Sequence, residues 1–420
     1  MTKKTSTAKK VVAKKATSQT NVLDTLYARG FVKQTVYEDD LRKTLTKEKV
    51  SFYVGFDPTA DSLHIGHYIP IMAMAHMQKA GHTPLVLIGG GTAMIGDPSS
   101  RTDMRLMLDK NQIATHVAAF EKQMERFFSF SGKNGAVVVN NADWLLNLNY
   151  VDFLRDIGCY FSVNKMLTAD CFKSRLERGL NFLEFNYMLM QAYDFLVLHQ
   201  KYGTLLQLGG NDQWSNILAG ADLIRRKNQK DAFAVTFTLL ETSSGEKMGK
   251  TQKGALWLDA NKTTPYEFYQ YFRNVEDVKI EECFKLLTFL ELDEIAELTK
   301  HKDQRINDAK KRLAFEVTKL VHGIDAANKA QNEALAAFSG NSDAMSSLKI
   351  DATGDTTIVD VLMLTGQAKS KSDARNLIAG GGVKIDEHKV STPQDVINTF
   401  TKSKEFILHK GKKVHIKIKL

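Results

Sequence analysis

Two imidazoles and two ammonium groups are the side chains of this sequence whose spacing could do chemistry. His64 and His67 stand three residues apart in Leu63-His64-Ile65-Gly66-His67, and Lys247 and Lys250 do the same in Lys247-Met248-Gly249-Lys250-Thr251. Residues at i and i+3 share a helix face, so both imidazoles can address one point beside the unpaired amides of a helix start. The helix dipole and those amides favour an anion there, and a nucleotide phosphate suits the place. Gly245 precedes the lysines and Gly249 lies between them, which predicts a basic loop able to close over phosphate oxygens.

The elements that must hold these groups read from the residues around them. Ser51-Phe52-Tyr53-Val54-Gly55-Phe56 is strand-like and meets a turn at Asp57-Pro58-Thr59. Ser62 is placed to N-cap a helix carrying His64 in its first turn, and Gly66 lets a ligand lie close to the backbone. Strand patterns at 51–56, 84–88, 136–139, 205–208 and 233–239 alternate with helical ones at 65–79, 111–128, 183–199 and 213–226, as in a parallel α/β domain. Pro70 predicts a kink or irregular turn in the first helix. In such open sheets ligands bind beyond the carboxyl ends of the strands, and Asp57, Asp97 and Asp212 each follow a strand pattern.

Two phosphate-loop patterns can be set aside. Residues 245–251 have one residue too few between their glycines for a Walker loop, and a polar stretch follows rather than a long apolar helix. Gly89-Gly90-Gly91 lacks dinucleotide-loop spacing and is expected to turn the chain off a strand end so that Thr92 and Asp97 line a pocket.

With 420 residues, 43% hydrophobic and 25% charged, the chain has the make-up of a globular protein of two or three domains. No apolar run approaches a membrane span. Cys159, Cys171 and Cys283 have neither metal-ligand spacing nor an even count, so small buried residues in a reducing compartment are expected, with no protein-bound metal. The formal charge of +9 is concentrated: residues 1–20 hold six lysines and no acid, and residues 369–420 hold 12 Lys/Arg against five Asp/Glu. Those two segments sum to +13 and leave about −4 for the rest, which points to a polyanion gripped at the ends. The Lys/Thr/Ala-rich tail lacks a secretory apolar core and lacks arginine, so a disordered cytoplasmic extension is expected over 1–20.

Beyond Lys250 the strand pattern stops. Residues 265–272 and 280–320 read as amphipathic helices, with Ile280, Cys283, Phe284 and Leu287 at helical spacing. The softer 336–342 reads as linker. In Ser370-Lys371-Ser372-Asp373-Ala374-Arg375, either serine can cap a helix that carries Lys371 and Arg375 on one face. The alternating end, 414–420, sets His415, Lys417 and Lys419 opposite its aliphatics.

The run from Tyr53 to His67, Tyr53-Val54-Gly55-Phe56-Asp57-Pro58-Thr59-Ala60-Asp61-Ser62-Leu63-His64-Ile65-Gly66-His67, resembles the first signature of class I aminoacyl-tRNA synthetases in its tyrosyl form. Residues 247–251 are similar to their lysine signature, with Gly249 and Thr251 in place of its two serines. Gly96-Asp97-Pro98-Ser99, Tyr187-Met188-Leu189-Met190-Gln191-Ala192-Tyr193-Asp194 and Gly209-Gly210-Asn211-Asp212-Gln213-Trp214 match further segments in order and spacing, and the likeness runs over 21–420. The C-terminal unit resembles the S4 RNA-binding fold.

The resemblance implies an α/β chain: a Rossmann-like parallel-sheet catalytic domain at 21–242, a lysine loop and α-helical domain at 243–338, a linker at 339–352, and a small α+β S4-like domain at 353–420. It implies joining of L-tyrosine to tRNA with ATP as substrate, Mg2+ on the ATP phosphates, a homodimer and a cytoplasmic location. Residue by residue, it places Thr59, His64, His67, Lys247 and Lys250 in catalysis, with Arg101 and Arg105 as possible phosphate contacts. Gly55, Asp57, Gly66 and Asp212 join the histidines and Lys250 around ATP. Tyr53, Asp97, Tyr187, Gln191, Asp194 and Gln213 surround tyrosine, with Tyr53 and Asp194 at the phenol hydroxyl, and Lys371 and Arg375 face tRNA. Pro70 stands where some relatives carry a polar ribose-facing residue. A tryptophanyl enzyme, a small-molecule nucleotidyltransferase and a non-enzymatic RNA-binding relative are the alternatives.

Overall fold

Apolar runs without polar interruption need shelter on both faces, and the strands that carry them lie in the middle of a sheet. The computed structural model describes residues 21–95, 110–169, 172, 176, 179–251, 254–339, 347–411 and 414–420. Among them β1 (Val32–Val36), β2 (Ser51–Phe56), β3 (Thr83–Ile88), β4 (Val137–Asn140), β5 (Thr204–Gly210) and β6 (Phe233–Phe237) form one sheet in the order β1-β6-β5-β2-β3-β4. Strands β2 to β6 are parallel, whereas β1 runs antiparallel to β6. The sequence pattern missed β1 because its middle is Lys33-Gln34-Thr35, tolerable at a half-buried edge. From β2 the sheet grows outward through β3 and β4 on one side and through β5 and β6 on the other. The chain therefore changes direction between β2 and β5, and a crevice opens there at the carboxyl ends.

Helix Tyr68–Lys79 is buried on nearly every face from Tyr68 to Met77, because it is held between the sheet and a helical bundle. Pro70 is its third residue, where no intrahelical partner is lost. Of the kink or irregular turn expected, the structure shows a 3-10 turn, Ile65–His67, just before the helix. After β6 come the short strands β7 (Lys250–Thr251) and β8 (Gly254–Ala255), then helices Pro265–Arg273, Ile280–Leu287, Leu292–Thr299, Ile306–His322 and Ile324–Ser339. Phe268, Phe284, Leu313 and Val317 share one hydrophobic cluster with Phe52, Val86 and Met72, so the boundary expected at 242 is no break in the core. Arg29, almost fully buried, donates to the carbonyls of Lys285 (3.2 Å), Thr288 (3.0 Å) and Leu290 (2.6 Å), tying the N-terminal helix Val22–Ala28 to that bundle. The opposite face of the sheet is covered by helices Phe182–Tyr202 and Trp214–Asn228.

Helix Ile324–Ser339 runs through part of the stretch expected as linker. So does β9 (Ser347–Lys349), which pairs in parallel with β13 (Val414–Lys419) and places the start of the last unit before 353. With β10 (Val383–Ile385), β11 (His388–Lys389) and β12 (Glu405–Lys410), the order is β11-β10-β12-β13-β9. Helices Ile358–Leu364 and Lys371–Ala379 pack on it in a separate core. Ser370, not Ser372, caps the second helix by accepting from the Asp373 amide. The tail at 1–20 and Cys171 lie outside the described residues; Cys283 is buried as expected, whereas Cys159 is exposed. Among the described residues no helix is long and apolar enough to cross a membrane.

Candidate functional site

The first signature leaves β2 at its carboxyl end and folds back on itself through its own side chains. Ser62 is not the cap: its hydroxyl donates to the Leu63 carbonyl at 2.8 Å, and Gln123 Oε1 accepts from the Leu63 amide at 3.0 Å. His64 takes that role, its Nδ1 accepting from the Gly66 amide at 3.0 Å while His67 Nδ1 accepts from the His64 amide at 3.1 Å. Two consequences follow. The rings stack with centroids 4.0 Å apart and planes 30° from parallel. Each neutral ring, its Nδ1 being an acceptor, carries its proton on Nε2, the donor a phosphate oxygen needs. Gly66 is required by space, since a Cβ there would stand 2.8 Å from His64 Cε1. Thr59 is exposed on the turn, its amide bonded to the Asp57 carbonyl at 2.8 Å.

Asp57 lies beside the end of β3. A Cβ on Gly89 would come within 2.5 Å of Asp57 Oδ1 and 2.6 Å of Thr92 Oγ1, so the glycine serves close approach rather than an unusual backbone angle. Across the crevice, β5 leads into the turn Asn211–Gln213. There Asp212 Oδ2 stands 3.4 Å from Lys247 Nζ, and Gln213 Oε1 accepts from Asn216 Nδ2 at 3.2 Å. The Lys247–Asp212 pair is half-exposed, so it is a weak contact that a polyphosphate can replace.

The lysine loop and the first signature are joined by backbone. Leu256 donates to the Gly249 carbonyl at 2.8 Å, Ile65 donates to the Leu256 carbonyl at 2.9 Å, and Leu258 donates to the Leu63 carbonyl at 2.9 Å. Trp257 meets the His64 ring edge-on at 5.8 Å, and Lys262 pairs with Asp61 at 2.7 Å. Trp257 carries no sequence signal beyond being an aromatic that follows the loop.

A second, buried cluster of polar groups lies on the other side of the crevice. Tyr187, Gln191 and Asp194 share a face of helix Phe182–Tyr202, which starts on the Asn181/Glu184 capping box and ends on left-handed Gly203. Asp194 is fully enclosed and accepts from Asn141 Nδ2 at 2.9 Å and Trp144 Nε1 at 2.7 Å. Burial raises its carboxyl from 3.8 to about 7; the two donors oppose this and the Asp57 charge adds to it. The Tyr53 hydroxyl is buried with no hydrogen-bond partner among the described residues, and burial, with the Asp194 charge, pushes it well above its usual range. Asn141 and Trp144 escaped sequence reasoning, although a polar Asn140-Asn141 pair at a strand end was a legible signal. Asn141 also links this cluster to the turn after β3, its Oδ1 accepting from the Gly91 amide at 2.7 Å and its Nδ2 donating to Thr92 Oγ1 at 3.1 Å.

The structure thus brings Tyr53, Gly55, Asp57, Thr59, His64, Gly66, His67, Tyr187, Gln191, Asp194, Asp212, Gln213 and Lys247 onto β2, onto segments beyond the carboxyl ends of the central strands, or onto the helix beside them. Asp97, Arg101 and Arg105 lie outside the described residues, and Lys250 is placed by its backbone alone. In the last unit, Lys371 is bonded to Asp360 at 2.9 Å, while Lys417 and Lys419 both pair with Glu405, at 3.1 and 3.0 Å. The lysine face expected along β13 is therefore partly neutralised from its neighbour β12.

Comparison with known proteins agrees with this arrangement. The sequence model described as tRNA synthetases class I (W and Y) matches residues 45–339, and that of the tyrosine–tRNA ligase SYY-like C-terminal domain matches residues 338–418. The tyrosine–tRNA ligase of Acetivibrio thermocellus is 55% identical over 408 residues, covering 95% of this chain and 99% of that protein. That of Caldanaerobacter subterraneus is 56% identical over 397 residues, covering 94% and 98%. Among solved structures, a C-terminally truncated mitochondrial tyrosyl-tRNA synthetase from Coccidioides posadasii superposes with a TM-score of 0.65 at 32% identity, covering 74% of this chain and 91% of that one. The paired histidine signature, the lysine loop zipped onto it and matches that together span 45–418 place this chain in the class I tRNA synthetases, in the family of the tyrosine–tRNA ligases.

Proposed function

We propose that the chain activates L-tyrosine with ATP, releasing pyrophosphate, and then transfers the tyrosyl group to the 3′-terminal adenosine of tRNA(Tyr). The tyrosine carboxylate attacks the α-phosphorus of ATP, which enters with Mg2+ on its phosphates; the adenosine hydroxyl of tRNA then displaces adenylate from the mixed anhydride. The substrate supplies the nucleophile, so the protein's work is positioning and charge stabilisation. His64 and His67 offer Nε2 donors to phosphate oxygens, and Thr59, Lys247 and Lys250 complete that set, with Arg101 and Arg105 as further candidates. Gly55, Asp57, Gly66 and Asp212 border the adenosine. Asp97, Tyr187, Gln191 and Gln213 hold the amino and carboxylate groups of tyrosine, and Tyr53 and Asp194 hold its phenol.

The observation that carries the reading is the enclosed Asp194, whose charge acts on a buried Tyr53 hydroxyl with no hydrogen-bond partner among the described residues, on the same sheet as the two stacked imidazoles. A phenol satisfies those buried groups, whereas a phenyl ring leaves them unpaired at a cost of about 1–3 kcal/mol per group. ATP–pyrophosphate exchange against all twenty amino acids, followed by charging of total tRNA, tests it: exchange with an amino acid other than tyrosine, or no charging, rules it out.

Partners follow from the same reading. Lys371 and Arg375 face tRNA in the S4-like unit. A homodimer is supported by exposed apolar residues Tyr150 (56% exposed), Val151 (69%) and Phe182 (67%), large groups that a partner copy would cover. The cytoplasm, where tRNA is charged, is the assigned compartment.

A further inference from the structure

Gly249, between the two lysines, is held from both sides. Its backbone is left-handed at φ +89°, and a Cβ on it would overlap Cγ2 of Ile65 in the first signature. On its other side its amide donates to the Tyr271 hydroxyl at 2.7 Å. Tyr271 belongs to helix Pro265–Arg273 of the helical bundle, is half-buried, and packs its ring against Phe272 at 5.3 Å. The rest of the loop is anchored nearby. Met248 donates to the Leu240 carbonyl at 2.8 Å, and Ser243 reaches Glu276 through its amide at 2.7 Å and its hydroxyl at 2.8 Å. The two lysines flank Gly249 in sequence, so the orientation of its peptide sets where both side chains start.

We propose that Tyr271 is a positioning residue for adenylate formation: its hydroxyl fixes the Gly249 peptide against Ile65 and so aims the lysine loop at the phosphates of ATP. This rests on reading Lys247 and Lys250 as phosphate donors. A glycine in a loop has the widest backbone freedom of any residue, so without the acceptor the loop spreads over orientations that do not face the nucleotide. Loss of one ordinary hydrogen bond shifts such a population by about five- to tenfold. The hydroxyl touches no substrate, so the effect belongs to the rate of activation and leaves the tyrosine pocket alone.

The test is Tyr271→Phe, which keeps the ring and removes the oxygen, measured beside Lys247→Ala and the double variant by pyrophosphate exchange. Expected for Tyr271→Phe are a kcat lowered about five- to tenfold, an unchanged KM for tyrosine and an unchanged Tm. The double variant should lose less than the product of the two single losses, because Tyr271 acts through the loop. If Lys247→Ala slows exchange while Tyr271→Phe does not, or if Tyr271→Phe raises the tyrosine KM or lowers Tm in proportion, the positioning role is overturned. If Lys247→Ala itself leaves the rate unchanged, the phosphate-donor reading falls and this proposal falls with it.

Discussion

At the scale of the residue, Asp194 carries the sharpest consequence. An ionised carboxylate accepts the phenol proton, while a protonated one must compete as a donor, and burial sets the crossover at about 7. Tyrosine binding should therefore tighten roughly tenfold from pH 6 to pH 8, and Asp194→Asn should abolish that dependence. Titration calorimetry across the range checks it; a flat wild-type profile refutes the assignment. Stability moves the other way. The folded protein holds the Asp194 proton above the 3.8 at which an unfolded chain releases it, so stability falls as pH rises from about 4 to 7. The full difference is about 4 kcal/mol. Asp194→Asn should accordingly gain stability relative to wild type at pH 8 compared with pH 4, measured by denaturant unfolding.

At the scale of the element, one device is the zipper of 256–258 onto 63–65. It couples the lysine loop to the paired histidines, both proposed to bind phosphate, through two main-chain hydrogen bonds that any sequence could make, while a third, Leu256 to Gly249, ties the segment to the loop. Its specificity lies in Gly249. Gly249→Ala combines a left-handed angle, which costs about 1 kcal/mol, with overlap on Ile65, so the loop must leave the signature. Adenylation should fall by more than tenfold with tyrosine affinity unchanged, as read by pyrophosphate exchange beside equilibrium tyrosine binding. Equal loss in both would make the glycine a folding residue only.

At the scale of the whole molecule, the proposed chemistry and the proposed RNA capture fall to separate cores. The cluster around Ile358, Val383, Phe406 and Ile418 is distinct from the one beneath the sheet. A chain ending at Ser339 should still form tyrosyl-adenylate but charge tRNA at least tenfold more slowly at physiological salt. Replacing Lys371 and Arg375 together should lower tRNA affinity and flatten its salt dependence, with Arg375 contributing more because Lys371 must first leave Asp360. Undiminished charging by the shortened chain would remove the terminal unit from RNA binding. Phe182→Asp, at a largely exposed aromatic, should convert the proposed homodimer to monomers in analytical ultracentrifugation; an unchanged sedimentation coefficient would move the interface elsewhere.

The sequence by itself determined the parallel strands and the motif positions, because continuous apolar runs, turn residues and i, i+3 spacing are local properties. It placed His64 and His67 together, but gave the cap to Ser62; the tertiary contact of Gln123 with Leu63 left that role to His64. It placed Pro70 inside a helix, but the start of that helix, which decides whether a proline matters, was set by the 3-10 turn before it. Strand β1 was invisible since an edge needs little apolar pattern. Asn141 and Trp144 around Asp194, Tyr271 on Gly249 and Glu405 between Lys417 and Lys419 join residues 12 to 53 positions apart. Such partners are chosen by packing and strand register, which a reading of local spacing does not contain.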